Sequence, residues 1–138
     1  MQRMSTSQRV WSIVFLCFLG LTGCNSGRYQ VEGTVKYADG TPVDGGTVIA
    51  EGTVEGKLVA LQANIEKDGS FKLGGLAPGD GAMPGSYRAI VMPVALGDSE
   101  IAAGKTPSVS GKYTKFDSSG ITFEVTKGKN QLDIKVSK

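Results

Sequence analysis

Cysteine is the strongest nucleophile this chain offers, and it occurs twice, at Cys17 and Cys24. There is no histidine anywhere. That removes the usual general base, the commonest zinc ligand and every Ser-His or Cys-His pairing. No serine after Cys24 has a lysine three residues on, so a Ser-Lys nucleophile is excluded as well. Gly104-Lys105-Thr106 has the ending of a phosphate-binding loop, but Ser99 stands where the first glycine is required, and no strand-to-helix unit surrounds it. Asp-Gly pairs at 39–40, 44–45, 68–69 and 80–81 are candidate oxygen ligands for a hard cation. Such an ion wants several oxygens converging at about 2.3–2.6 Å. Each aspartate here stands alone, where Asp-Gly is favoured for turn geometry. The chain is therefore expected to carry no catalytic residue, no metal and no other cofactor.

Cys24 is different, because of what precedes it. Arg3 and Arg9 are followed by an apolar run, Val10 to Gly20, and then by Leu21-Thr22-Gly23-Cys24. A basic start and a short apolar segment form a secretory signal, too short to span as a helix of about 20 residues. The four residues resemble a bacterial lipobox: Leu21, Thr22 and Gly23 for the signal peptidase, and Cys24 as the thiol that takes a diacylglyceryl group. Cys17 follows Leu16, where a small residue is needed. The expected division is a signal peptide over 1–23, a tether over 24–28 from lipidated Cys24, and a domain over 29–138. A tether of that length reaches on the order of 15 Å. Asn25, rather than Asp, after the anchor matches the pattern for outer-membrane over inner-membrane retention. The expected location is extracytoplasmic, held to membrane lipid through Cys24.

Loss of the signal also rewrites the balance of charge. The chain has fifteen bases against thirteen acids. Removing Arg3 and Arg9 brings the two into balance, so nothing calls for a nucleic-acid partner. Residues 24–100 carry six bases and ten acids, residues 101–138 seven and three. With Cys24 acylated no thiol remains for a disulfide, and one core must hold the fold.

The elements that would carry any site are strands. Val31, Gly33, Val35 and Tyr37 alternate with polar residues, as do Val59, Leu61, Ala63 and Ile65. Thr47 to Glu51 forms another strand, Asp68-Gly69 turns the chain into Phe71 and Leu73, and Tyr87, Ala89 and Val91 lead the next. Ile121, Phe123 and Val125 pair by pattern with Leu132, Ile134 and Val136 across Lys127-Gly128-Lys129-Asn130. No stretch after Cys24 keeps an apolar helical stripe. The expected fold is all-β, an antiparallel sandwich of about seven strands. Its core is expected to hold Val31, Val35, Val59, Leu61, Ile65, Phe71, Leu73, Tyr87, Val91, Ile121, Phe123, Val125, Leu132, Ile134 and Val136. Two stretches lack the period of two, Gly75–Gly85 and Ala95–Tyr113. The second, with Asp98, Glu100 and Lys105, is the expected binding loop.

Four pieces of this sequence are similar to a known family: residues 31–48 (VEGTVKYADGTPVDGGTV), 67–73 (KDGSFKL), 78–93 (PGDGAMPGSYRAIVMP) and 118–136 (SSGITFEVTKGKNQLDIKV). Lys112-Tyr113 falls where the family has a Lys-Tyr pair. The chain resembles the short planctomycete-type lipoproteins that carry a carboxypeptidase-regulatory-like domain. The resemblance implies a transthyretin-like (prealbumin-like) Greek-key β-sandwich and no established catalytic residues. The expected role is structural or protein-binding, with an envelope protein as partner. A carbohydrate- or glycan-binding module is the alternative, though sugar platforms need exposed aromatics and Trp11, the only tryptophan, leaves with the signal.

Overall fold

The computed structural model describes residues 27–138. The signal, the Leu21-Thr22-Gly23-Cys24 site and most of the tether lie outside the described residues. The chain is mostly strand: β1 (Val31–Tyr37), β2 (Thr47–Val54), β3 (Lys57–Asn64), β4 (Ser70–Lys72), β5 (Gly85–Met92), β6 (Ile121–Val125) and β7 (Asn130–Val136). Two short helices, α1 (Asp98–Ala102) and α2 (Phe116–Ser119), flank a 3-10 turn at Gly111–Thr114. The strands form a three-stranded sheet, β4-β1-β7, and a four-stranded sheet, β3-β2-β5-β6. Inward residues of both sheets meet in one apolar cluster, giving a sandwich-like all-β domain.

One expected pairing is not made, and one pair is not antiparallel. β6 does not form a hairpin with β7; it pairs with β5, while β7 joins the other sheet beside β1. The β1–β7 pair is parallel, with Val31 opposite Asn130 and Tyr37 opposite Val136, so the domain is not wholly antiparallel. The corner is built by Asn130. Its side-chain oxygen accepts from the Thr126 amide at 2.9 Å, its side-chain nitrogen donates to the Thr126 carbonyl at 3.0 Å, and its own amide donates to the Gln30 carbonyl at 2.9 Å. The turn therefore delivers the chain to β1 instead of back along β6. The Asp68-Gly69 turn likewise feeds β4 into the sheet of β1, where Gly33 faces Phe71. Gly33 must lack a side chain, because a Cβ there would overlap the Leu132 carbonyl.

The expected core is buried except for Val59, Ile121, Phe123 and Leu132, which pack against it half-exposed. All four sit on strands that end their sheets, where only one neighbour covers them. Tyr37 is half-buried too, and its hydroxyl donates to the Ser108 carbonyl at 2.8 Å. The core also takes Val43, Val48, Ala50, Ala82, Val109 and Tyr113. Ile90 is buried on the opposite face of β5, outside that cluster. The 3-10 turn and α2 pack against β5 on their way to β6, and Ser119 Oγ donates to the Ala89 carbonyl at 2.7 Å.

Candidate functional site

The expected binding loop divides in two. Its first half holds α1, which buries nothing. Glu100 reaches back to the Gly97 amide at 3.1 Å and accepts from Lys105 Nζ at 2.9 Å. The Lys105 ammonium, then the Gly97 amide, hold the Glu100 carboxyl below its ordinary value against a small opposing effect of burial. Glu100 and Lys105 are thus brought together to close their own turn, and Asp98 sits exposed in the first turn of α1. The second half is anchored: Val109 and Tyr113 are core, and Ser110 N–H donates to the Ser137 carbonyl at 2.8 Å.

The Asp-Gly turns are likewise occupied locally. Asp39 accepts from the Thr41 hydroxyl and amide, and Asp68 from the Ser70 hydroxyl and amide. In both, the hydroxyl is the larger cause of a lowered carboxyl pKa. Among the described residues no three His, Cys, Asp or Glu side chains group to hold a metal.

More informative are the two flanks of the sandwich, each made by a pair of sheet edges. On the first, β3 and β4 are stapled. Gln62 and Gly74 exchange both backbone hydrogen bonds, at 2.8 and 3.1 Å, and Glu66 N–H donates to the Ser70 carbonyl at 2.8 Å. The loop after Gly74 is held by Asp80, whose carboxylate accepts from the amides of Gly75, Leu76 and Ala77 at 2.7, 3.1 and 3.2 Å. Arg28 Nε lies 3.3 Å from the same carboxylate in an enclosed ion pair. Burial raises the Asp80 pKa, but the three amides and Arg28 outweigh it and hold the carboxyl low. A cleft of about 560 Å³ runs beside this flank, with Glu32, Glu66 and Lys72 as its charged lining. Among the described residues no ion pair joins any two of these three.

On the second flank no bond among the described residues joins the edges directly, and the nearest tie is Ser110 N–H to the Ser137 carbonyl just past β7. Among the described residues no backbone pair or bridge joins β6 to β7. The half-exposed Ile121 and Phe123 of β6 and Leu132 of β7 lie along it. Phe123 stacks on buried Tyr87 with ring centroids 5.5 Å apart. Since Asn130 N–H bonds to Gln30, the even-numbered residues of β7 face β1 and the backbone groups of Gln131, Asp133 and Lys135 point away. This edge was not foreseen, because a β6–β7 hairpin would have covered it.

No protein-family model and no curated protein matches the chain.

Proposed function

We propose that this is a lipid-anchored envelope lipoprotein, with a transthyretin-like Greek-key domain of the carboxypeptidase-regulatory-like kind. Its role is non-catalytic: it holds an extended segment of a partner protein as an added strand on the β6–β7 flank. The observation that carries this reading is the unpaired flank itself. It offers outward backbone donors and acceptors on β7 beside the half-buried Ile121, Phe123 and Leu132. Strand addition draws affinity from main-chain hydrogen bonds and specificity from alternate side chains. The matching partner segment alternates apolar and polar residues and carries no proline. The anchor and an outer-membrane location rest on Arg3, Arg9, the apolar run, Cys24 and Asn25. A glycan platform is less well supported, since every described tyrosine and phenylalanine is buried or half-buried.

The test is photocrosslinking in the native envelope. A benzophenone side chain at Thr122, exposed on β6, should capture a protein that the same group at Lys72 on the stapled flank does not. Equal capture at both positions, or none at Thr122, would sink the proposal.

A further inference from the structure

The way the chain enters the domain fixes which end faces the lipid. Tyr29 and Ala82 exchange backbone hydrogen bonds at 2.7 and 2.9 Å, and the Asn130 amide bonds to Gln30. Val54, at the end of β2, pairs with Lys57, and a Cβ at Gly85 would lie 3.3 Å from Val54 Cγ2. The loop after Gly74, the 54–57 turn and the 126–129 turn therefore share the end at which the tether arrives. The chain from Cys24 to Arg28 spans on the order of 15 Å, so an anchor on Cys24 holds this end against the headgroups.

That end is built for contact with lipid. Leu76 is 88 % exposed at a tip that also carries exposed Ala77 and Pro78, and Leu58 beside the 54–57 turn is 73 % exposed. A loop entering the interface must not bring unpaired amides with it. Here the amides of Gly75, Leu76 and Ala77 are all bound by Asp80, whose charge is matched by Arg28. A Cβ at Gly75 would overlap the Arg28 guanidinium, so the tip packs directly on that ion pair. The turns at this end bring exposed Lys57, Lys127 and Lys129 against Glu55. The far end mixes Asp39, Asp44, Glu66, Asp68 and Asp98 with Lys36, Lys67, Lys135 and Lys138. Anionic headgroups attract the first end over a Debye length of about 8 Å.

We propose that the Leu76 tip is a second membrane contact, which with acylated Cys24 docks the basic, apolar end of the domain onto an anionic bilayer. The inference rests on the lipid-anchor reading, and its test separates the two. The full chain, processed by a lipoprotein-producing bacterium, is reconstituted into vesicles of phosphatidylglycerol and phosphatidylethanolamine. Ala77→Cys keeps Leu76 and supplies the one free thiol for a fluorophore; Lys67→Cys does so at the far end. The probe at 77 should be quenched by nitroxide lipids and shielded from aqueous iodide, and the probe at 67 the reverse. Adding Leu76→Asp should lower the ratio of lipid to aqueous quenching at 77 about tenfold, the scale of withdrawing one leucine from an apolar phase. Its thermal midpoint should not move, since Leu76 buries little. Iodide reaching both probes equally overturns the proposal, and shielding at 77 without lipid quenching overturns it in favour of a covering protein. If the protein floats with the vesicles in either case, the anchor stands and only the docking falls. If it does not float and its intact mass shows no lipid, both readings fall together.

Discussion

On the β3–β4 flank the two sheet edges are joined by the Gln62–Gly74 and Glu66–Ser70 hydrogen bonds, and the loop that follows Gly74 is stiffened by Asp80. On the β6–β7 flank the same two sheets end without a bond between them, and the apolar side chains there stay half-exposed. Both flanks face the hazard of unpaired backbone at a sheet edge. One is met inside the chain, by continuing the β3–β4 turn as a split hairpin that spans both sheets. The other is left to charged side chains on the strands, Glu124 on β6 and Asp133 and Lys135 on β7. What differs is the corner. The 65–69 turn keeps its strands in register across the sheets, whereas Asn130 diverts β7 to β1 before any register with β6 forms.

The largest expected effect separates two phenylalanines that the alternation treats alike. Phe71 on β4 is 2 % exposed, and Phe123 on β6 is half-buried. Phe71→Ala should cost about 3–5 kcal/mol in urea unfolding, the sum of a transfer and a cavity term. Phe123→Ala should cost about 1–2 kcal/mol, because part of its surface is already wet and the site opens to solvent instead of leaving a void. Equal costs would mean that the second flank is as closed as the first.

That contrast also shows how far the sequence could be read. The strands were legible because period two over Val31–Tyr37, Val59–Ile65 and Tyr87–Val91 leaves no other face to bury. Which strand lies beside which was not. Ile121, Phe123, Val125 and Leu132, Ile134, Val136 point inward whether they form one hairpin or sit in two sheets, so the pattern is the same for both. The only local mark of the corner is Asn130, whose side chain closes the 126–130 turn. Val109 and Tyr113 were hidden for another reason: they enter the core from irregular backbone, where no period announces them. Glu100 was legible as chemistry, and the structure gives it local partners. A glutamate three residues after Gly97 is in position to reach back to that amide, and it does.

A smaller effect tests what keeps the first flank shut. Asp80→Ala frees three amides and leaves Arg28 unpaired in a tight site. The expected cost is about 2–3 kcal/mol at neutral pH, typical for losing charged hydrogen bonds. The sign with pH follows from the folded-state shift. Asp80 titrates below the ordinary aspartate value of about 3.9, so its contribution is complete above that value and lost as the pH falls through its folded pKa. Asp39 and Asp68 shift the same way, as does Asp133, through Gln131 and Thr34. The wild type should therefore lose stability on acidification below about pH 4, and the gap to Asp80→Ala should narrow over the same window. A gap that stays constant down to pH 2 would show that the carboxylate charge is not what holds the loop.

The sharpest division of the flanks comes from one substitution made on both, and its β7 half is the smallest effect expected. Proline removes an amide donor, so its cost reports whether that donor is in use. Gln62 N–H on β3 bonds to the Gly74 carbonyl at 2.8 Å, and Gln62→Pro should unstitch the first flank at a cost of about 3 kcal/mol. Lys135 on β7 sits at an odd position, with its amide aimed away from β1 and no side-chain partner among the described hydrogen bonds and ion pairs. Its proline variant should lose no more than about 1 kcal/mol, mostly from fitting the fixed φ of proline into an extended strand. The same variant should weaken capture at Thr122 in the native envelope, because an added strand loses one of the three outward main-chain donors of β7. A large loss of stability would mean that the Lys135 amide is already spent within the fold. Unchanged stability with unchanged capture would place the partner off this edge.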